Sequence, residues 1–246
     1  MTIFKIVLAA FLAGSLNGVT GSFGSILILV SLVSILGIYD AILIAPVIYL
    51  GIGWQYISNS INYINDKKFL LIISVSSLLG GVLGFFILTT ISENTYFLKI
   101  ILAITFILFG SHYIFYSYFE PKPKFKGNVF IYSIVSFVSS VVSSITGSFD
   151  QPILELVYDR TKEEQLLIRY IIIFSCYLTA IFKSCIYLSG NLIYSALVPF
   201  SVIGICAGIL GSILGKRYER NIYSNQNMKL ILSVIVIIAG LKLLLF

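Results

Sequence analysis

The sequence predicts an all-α polytopic membrane protein. It is read as two homologous, inverted repeats of about five hydrophobic segments each, with roughly eight to ten transmembrane helices and a short broken or re-entrant helix in each half. Three observations carry this. Hydrophobic residues make up 59% of the chain and charged residues only 11%, against about a quarter charged in soluble domains. Apolar runs such as "LLIISVSSLLGGVLGFFILT" and "LILSVIVIIAGLKLLLF" recur, near the roughly 18 residues that cross a bilayer and without the alternation of a barrel strand. Finally, landmarks recur half a chain apart in the same order: "TGSF" at 20–23 and 146–149, "LGGVLG" at 79–84 with "LGSILG" at 210–215, and the stretch 99–110 with 229–240.

The first segment, 3–19, opens with Lys5 and an apolar core and could pass for a secretory signal. Its counterpart at 129–146 argues that it is a retained helix. The second, 23–38, follows a break rich in glycine and hydroxyls. The third, 41–61, carries Gln55, Asn59 and Asn62 at helical spacing beside Trp54. The fourth, 69–90, sets Gly80 and Gly84 on one face, as Gly211 and Gly215 do later, so that a neighbouring helix can approach closely. The fifth, 96–118, ends in "GSHYIFYSYF", where His112 reads as an interfacial residue beside an aromatic belt rather than a proton relay.

The break between the halves is "YFEPKPKFKGN", whose prolines, glycine and lysines make a polar linker. It divides the chain into a first repeat (1–119), a linker (120–128) and a second repeat (129–246). The second half continues through 129–146, the short charged "FDQPILELVYD" at 149–159, then 166–188, 192–215 and 228–246. Cys176, Cys185 and Cys206 lie in apolar runs with no metal spacing. They read as small core- or lipid-facing residues, and no cofactor or metal is expected.

The net charge of +6 comes from loops between segments rather than from one helix face, which argues orientation and not nucleic-acid binding. If every segment crosses, Lys67, Lys68, Lys122, Lys124, Lys126, Arg160, Lys162, Lys216, Arg217 and Arg220 share one side. The positive-inside rule then favours about five crossings per half with both termini outside.

The TGSF breaks are the candidate binding site. Thr20, Gly21, Ser22, Gly24 and Ser25 in one copy, and Thr146, Gly147, Ser148, Asp150 and Gln151 in the other, interrupt apolar runs with helix breakers and hydroxyls. Freed backbone groups at membrane depth are tolerated where they line a cavity, and a half-helix starting there points N–H groups and a positive dipole end at an anion. A tight surface turn with Ser and Thr as N-caps is the competing reading, and the symmetry of the two copies favours a site. On the segment 166–188, Arg169, Cys176, Thr179, Lys183 and Tyr187 share a stripe. Arg169 is taken into the site as a partner for Asp150. Arg169 and Lys183 lie near opposite ends of the segment and both can snorkel to the interface; Lys183 is left out of the site.

The first half joins a Gly-rich break, "YDAI", "NYINDKKF", "LGGVLG" and "SENTYFLKIILAITFILFG"; the second repeats it through "SFDQPILE", "EEQLLI", "LSGNLI" and "LGSILGKRYERNIYSNQNMKLILSVIVIIAGLKLL". In this the chain resembles the TauE/SafE sulfite exporter family over nearly its whole length. The resemblance implies a multi-pass secondary transporter in the cell (plasma or inner) membrane, moving sulfite, a sulfonate or another organosulfur or carboxylate anion through a site between the repeats. It implies no enzyme activity and no cofactor. The partners are a small anionic solute and the bilayer, with proton coupling through Asp150 and a homodimer left open. The first break departs from the family's run of glycines followed by a proline, carrying Ser22 and Ser25 and no proline, whereas the second keeps Pro152 but adds Asp150 and Glu155. A diverged, non-transporting membrane assembly protein is the alternative. An intramembrane serine hydrolase built on Ser22 or Ser148 with His112 lacks the GxSxG elbow.

Overall fold

Where the backbone cannot bond to solvent it bonds to itself, and the apolar runs accordingly form helices. The structure, a computed structural model, describes residues 1–20, 23–60, 67–92, 94–119, 129–147, 162–217 and 226–245. Among these residues there are nine helices and no strand: α1 (Thr2–Thr20), α2 (Gly24–Leu36), α3 (Ile38–Ser60), α4 (Lys67–Ile91), α5 (Thr95–Phe119), α6 (Val129–Thr146), α7 (Lys162–Ser189), α8 (Val198–Arg217) and α9 (Gln226–Leu245). The expected segment 149–159 lies outside the described residues.

Among the described residues, five stretches are long and apolar enough to cross a membrane: Thr2–Val19, Lys67–Ile91, Thr95–His112, Val129–Thr146 and Val198–Arg217. The outward face is correspondingly apolar, with Leu12 on α1, Leu79 and Phe86 on α4, Leu108 on α5, Leu210 on α8 and Ile238 on α9 all exposed. A water-soluble fold does not present such a belt on every outer helix. The chain is a multi-pass membrane protein.

At 13 residues, α2 spans about 20 Å, short of the roughly 30 Å hydrocarbon core. Gly37 ends it at φ +95 with its N–H bonded to the Val33 carbonyl at 3.2 Å, and α3 starts at the next residue. Only glycine turns so sharply without strain. From Ala41 to Tyr49, α3 is buried on every face, as an all-round apolar helix must be when it forms the centre. The segment expected from 192 begins as a helix only at Val198. The Tyr187 carbonyl accepts from the N–H groups of Leu192 and Ile193, Asn191 is left-handed (φ 55), and Pro199 sits in the first turn of α8 where its missing N–H costs nothing.

The helix pairs are set by the small residues. A methyl group at Gly80 would strike the Phe137 carbonyl and one at Gly84 would lie 2.6 Å from the Val141 oxygen, so α4 packs on α6. Likewise, a methyl at Gly211 would strike the Phe11 carbonyl and one at Gly215 the Ser15 carbonyl, so α8 packs on α1. Gly110 on α5 faces Ser233 and Ile237 of α9, and Gly240 on α9 faces Ala103 and Ile107 of α5. All three glycine contacts join a helix before residue 120 to one after residue 128.

One polar tie joins the connection before α8 to the first turn of α3: the exposed Tyr194 hydroxyl donates to Asp40 Oδ2 at 2.8 Å. That hydrogen bond, with lesser help from burial and the carboxylate's charge, raises the Tyr194 pKa above its ordinary 10.0. Because the neutral hydroxyl is the form that bonds, its stabilisation is complete below the unfolded pKa and is lost as pH rises through the higher folded value. Tyr194→Phe is expected to lower the melting temperature slightly at pH 8, with wild type and variant converging at strongly alkaline pH. A thermal melt series across pH checks this.

Candidate functional site: a hydroxyl-lined face around a buried lysine

The sequence of α6, "VFIYSIVSFVSSVVSSIT", places serines at 136, 139, 140, 143 and 144. Spacings of three and four put them on one stripe, and all five are buried. Ser77 and Gly81 face them from α4, and Ser175, Thr179, Lys183 and Tyr187 from α7. The Ser77 and Ser175 hydroxyls are 3.1 Å apart and bridge α4 to α7. A methyl group at Gly81 would lie 3.5 Å from Ser140 Oγ, 3.8 Å from Ser144 Oγ and 3.7 Å from Thr179 Cγ2, so this glycine opens the wall of α4 toward the hydroxyls.

Lys183 is 3% exposed and its Nζ donates to Ser143 Oγ. One turn further on, the Tyr187 hydroxyl donates to the Ser144 carbonyl at 3.1 Å. The stripe expected on this helix is therefore present, with Cys176, Thr179, Lys183 and Tyr187 all buried. The expectation that Lys183 can snorkel is corrected: its Nζ turns to Ser143 on α6 and the side chain is buried inside the bundle. A buried ammonium costs several kcal/mol unless polar groups replace its water, and the serine face supplies such groups. Sequence reasoning misses this because serines among valines and isoleucines read as part of an apolar run. Their periodicity is the signal that could have found it.

The second TGSF break lies just beyond this cluster. Thr146 is the last residue of α6, with its hydroxyl bonded back to the Val142 carbonyl at 2.7 Å. Gly147 follows at φ +94 and its N–H closes the helix on the Ser143 carbonyl at 2.7 Å. Both donors are therefore used in ending the helix. Gly147 also packs against α3, where a methyl would lie 3.0 Å from the Ile42 Cα and 3.2 Å from its oxygen. That carbonyl is the one Pro46 cannot serve, because proline has no N–H to give four residues back.

In the first copy, Thr20 is the last residue of α1 while Gly24 and Ser25 open α2. Gly24 is pressed against Ala13 and the side chain of Asn17. The N-cap of α2 is the buried Phe23, which has no side-chain acceptor to offer. Ser25 is buried with no hydrogen bond to its hydroxyl among the described residues. This helix start lies inside protein, where a capping serine at a wet surface is not what holds it. Gly21, Ser22, Ser148, Asp150 and Gln151 lie outside the described residues. Arg169 belongs to α7 by its backbone, and its side chain is likewise outside what the structure describes.

The described face brings hydroxyl groups and one ammonium together beside Gly81, a set of groups suited to replacing the water around an anion. Among the described residues no group of His, Cys, Asp and Glu could hold a metal ion. No curated protein and no solved structure matches the chain at a significant level. The family model described as "Sulfite exporter TauE/SafE" matches residues 6–243. That covers nearly every helix described above, and the chain belongs to the TauE/SafE sulfite exporter family of membrane transporters.

Proposed function

We propose that the chain is a secondary transporter of the cell membrane that carries a small oxyanion such as sulfite, a sulfonate or a related carboxylate. The observation that carries this reading is Lys183, buried against the serine stripe of α6. In this reading Lys183 balances the charge of the solute, and Ser140, Ser143, Ser144 and Thr179 replace its hydration. The uncapped start of α2 with Ser25 contributes a second anion-favouring end. Of the residues outside the described ones, Ser22, Ser148 and Gln151 would complete the cradle, and Asp150 would pair with Arg169 or accept a coupling proton.

The two halves, 1–119 and 129–246, are taken as inverted repeats with both termini outside. The reciprocal glycine contacts of α4 on α6 and α8 on α1, and of α5 with α9, support that arrangement. Transporters of this kind place their site at the repeat interface and alternate its access by rocking one part against the other. Lys183 and Ser143 belong to the second repeat, whereas Ser77 and Gly81 belong to the first, so relative motion of the repeats would open or close the face.

The test is uptake of labelled sulfite, thiosulfate and sulfoacetate by proteoliposomes holding the purified full chain. Saturable flux of at least one anion, competed by the others, is expected. Absence of flux from a protein that melts cooperatively would favour a non-transporting assembly role.

A further inference from the structure

Between α4 and α7 the outer wall opens into a cleft of about 490 Å³, lined by Lys67, Leu70, Leu71, Ser74, Val75, Phe174 and Leu178. Its rim faces the bilayer, since Leu71 is 64% and Val75 47% exposed. Ser74 is only 8% exposed, lines the cleft, and its hydroxyl makes no hydrogen bond among the described residues. Lys67 stands at the mouth in the first turn of α4, with Lys68 beside it. Cleft size is within the roughly 300–1,000 Å³ of ligand pockets.

The chemistry is divided along the helix. At one end are the Lys67 ammonium protons, hydrogen-bond donors whose charge favours an anion. Below them is a wall of leucine, valine and phenylalanine that would strip a small hydrated anion of its water without replacing it. Ser74 lies two turns below Lys67, about 10 Å along the axis, and offers one hydroxyl. An occupant must therefore be anionic at its head, apolar along its length, and able to accept a hydrogen bond in between.

We propose that this cleft binds an anionic phospholipid: its phosphate on Lys67, an ester oxygen toward Ser74, and an acyl chain along Leu71, Val75 and Leu178. About one turn beyond Ser74 on α4, the Ser77 hydroxyl meets Ser175, the neighbour of Phe174 on α7, so a bound lipid braces the two helices that carry Gly81 and Lys183. Basic pockets between transmembrane helices recognise lipid headgroups on the same physical basis.

The full chain, purified and delipidated in a neutral detergent, is to be titrated with phosphatidylglycerol or with phosphatidylcholine of identical chains, reading the melting temperature and the lipid retained in native mass spectra. Phosphatidylglycerol is expected to raise the melting temperature by about 5 °C more than phosphatidylcholine and to leave one retained lipid. Lys67→Gln, at an exposed position, is expected to erase that difference, whereas Lys68→Gln, outside the lining, should retain it. Equal shifts for the two lipids, or an unchanged preference in Lys67→Gln, would overturn the proposal. So would a full shift from glycerol phosphate alone, which would mark a phosphate site, or from dodecanesulfonate at the same concentration, which would make the cleft a site for simple amphiphilic anions.

Discussion

Gly215→Leu is expected to abolish cooperative melting of the detergent-purified protein, and Gly215→Ala to lower stability by about 1–3 kcal/mol. A methyl group there would strike the Ser15 carbonyl and lie 3.0 Å from the Gly18 Cα. These are backbone atoms of α1, and no rotamer change relieves them; α1 and α8 would have to move apart. Between helices in a bilayer, close van der Waals contact holds the pair because lipid offers no hydrophobic gain on association. Gly80→Ala should behave alike, since its methyl would meet the Phe137 carbonyl. The adjacent Gly81→Ala provides the contrast: its nearest neighbour is 3.5 Å away, and alanine gains up to about 1 kcal/mol of helix propensity. It should melt at or slightly above the wild-type temperature while its methyl, placed among the hydroxyls, slows transport. Equal destabilisation by Gly80→Ala and Gly81→Ala would contradict the register of α4 on α6.

Those paired glycines are legible in the sequence, because spacing alone puts Gly80 with Gly84 and Gly211 with Gly215 on single faces. Which helix each face meets is not: α4 packs on the first helix of the other half rather than on its chain neighbour α5. Lys183 shows the consequence. Six residues from the end of α7, it stands where a long side chain can reach the interface, yet its ammonium turns inward to Ser143 on α6. The serine stripe of α6 is written in its periodicity, but a serine can hide its hydroxyl on its own helix and weighs little against neighbouring valines and isoleucines. The TGSF breaks do coincide with helix ends, at Thr20 before α2 and at Thr146 with Gly147. What the donors there do depends on local geometry: a residue at φ +94 spends its N–H on ending the helix. The late start of α8 has a similar cause, because "NLIYSAL" is apolar enough to read as helix while the N–H groups of Leu192 and Ile193 turn back onto the Tyr187 carbonyl.

Lys183→Met is expected to lower anion flux by about a hundredfold or more, since it removes the cationic partner of the proposed buried anion, a truncation that costs roughly 2–5 kcal/mol. Methionine keeps the length and apolar stem of the side chain and removes only the ammonium. The protein loses the bond to Ser143, worth about 1–3 kcal/mol if that hydroxyl found no substitute. It is also relieved of the cost of desolvating a charge. The two terms oppose each other, so the melting temperature should change far less than the flux. Lys183→Arg retains the charge on a wider, planar head that the hydroxyl face was not shaped for, and should keep part of the flux with altered preference among sulfite, thiosulfate and sulfoacetate. Ser143→Ala, which removes the acceptor but leaves the ammonium, should weaken flux less than Lys183→Met. If Lys183 served only to brace the end of α6, the outcome would invert: Lys183→Met would melt well below wild type, and whatever folded protein survived would transport at the normal rate per molecule. Flux per folded molecule, measured beside the melting temperature of the same preparation, separates the two.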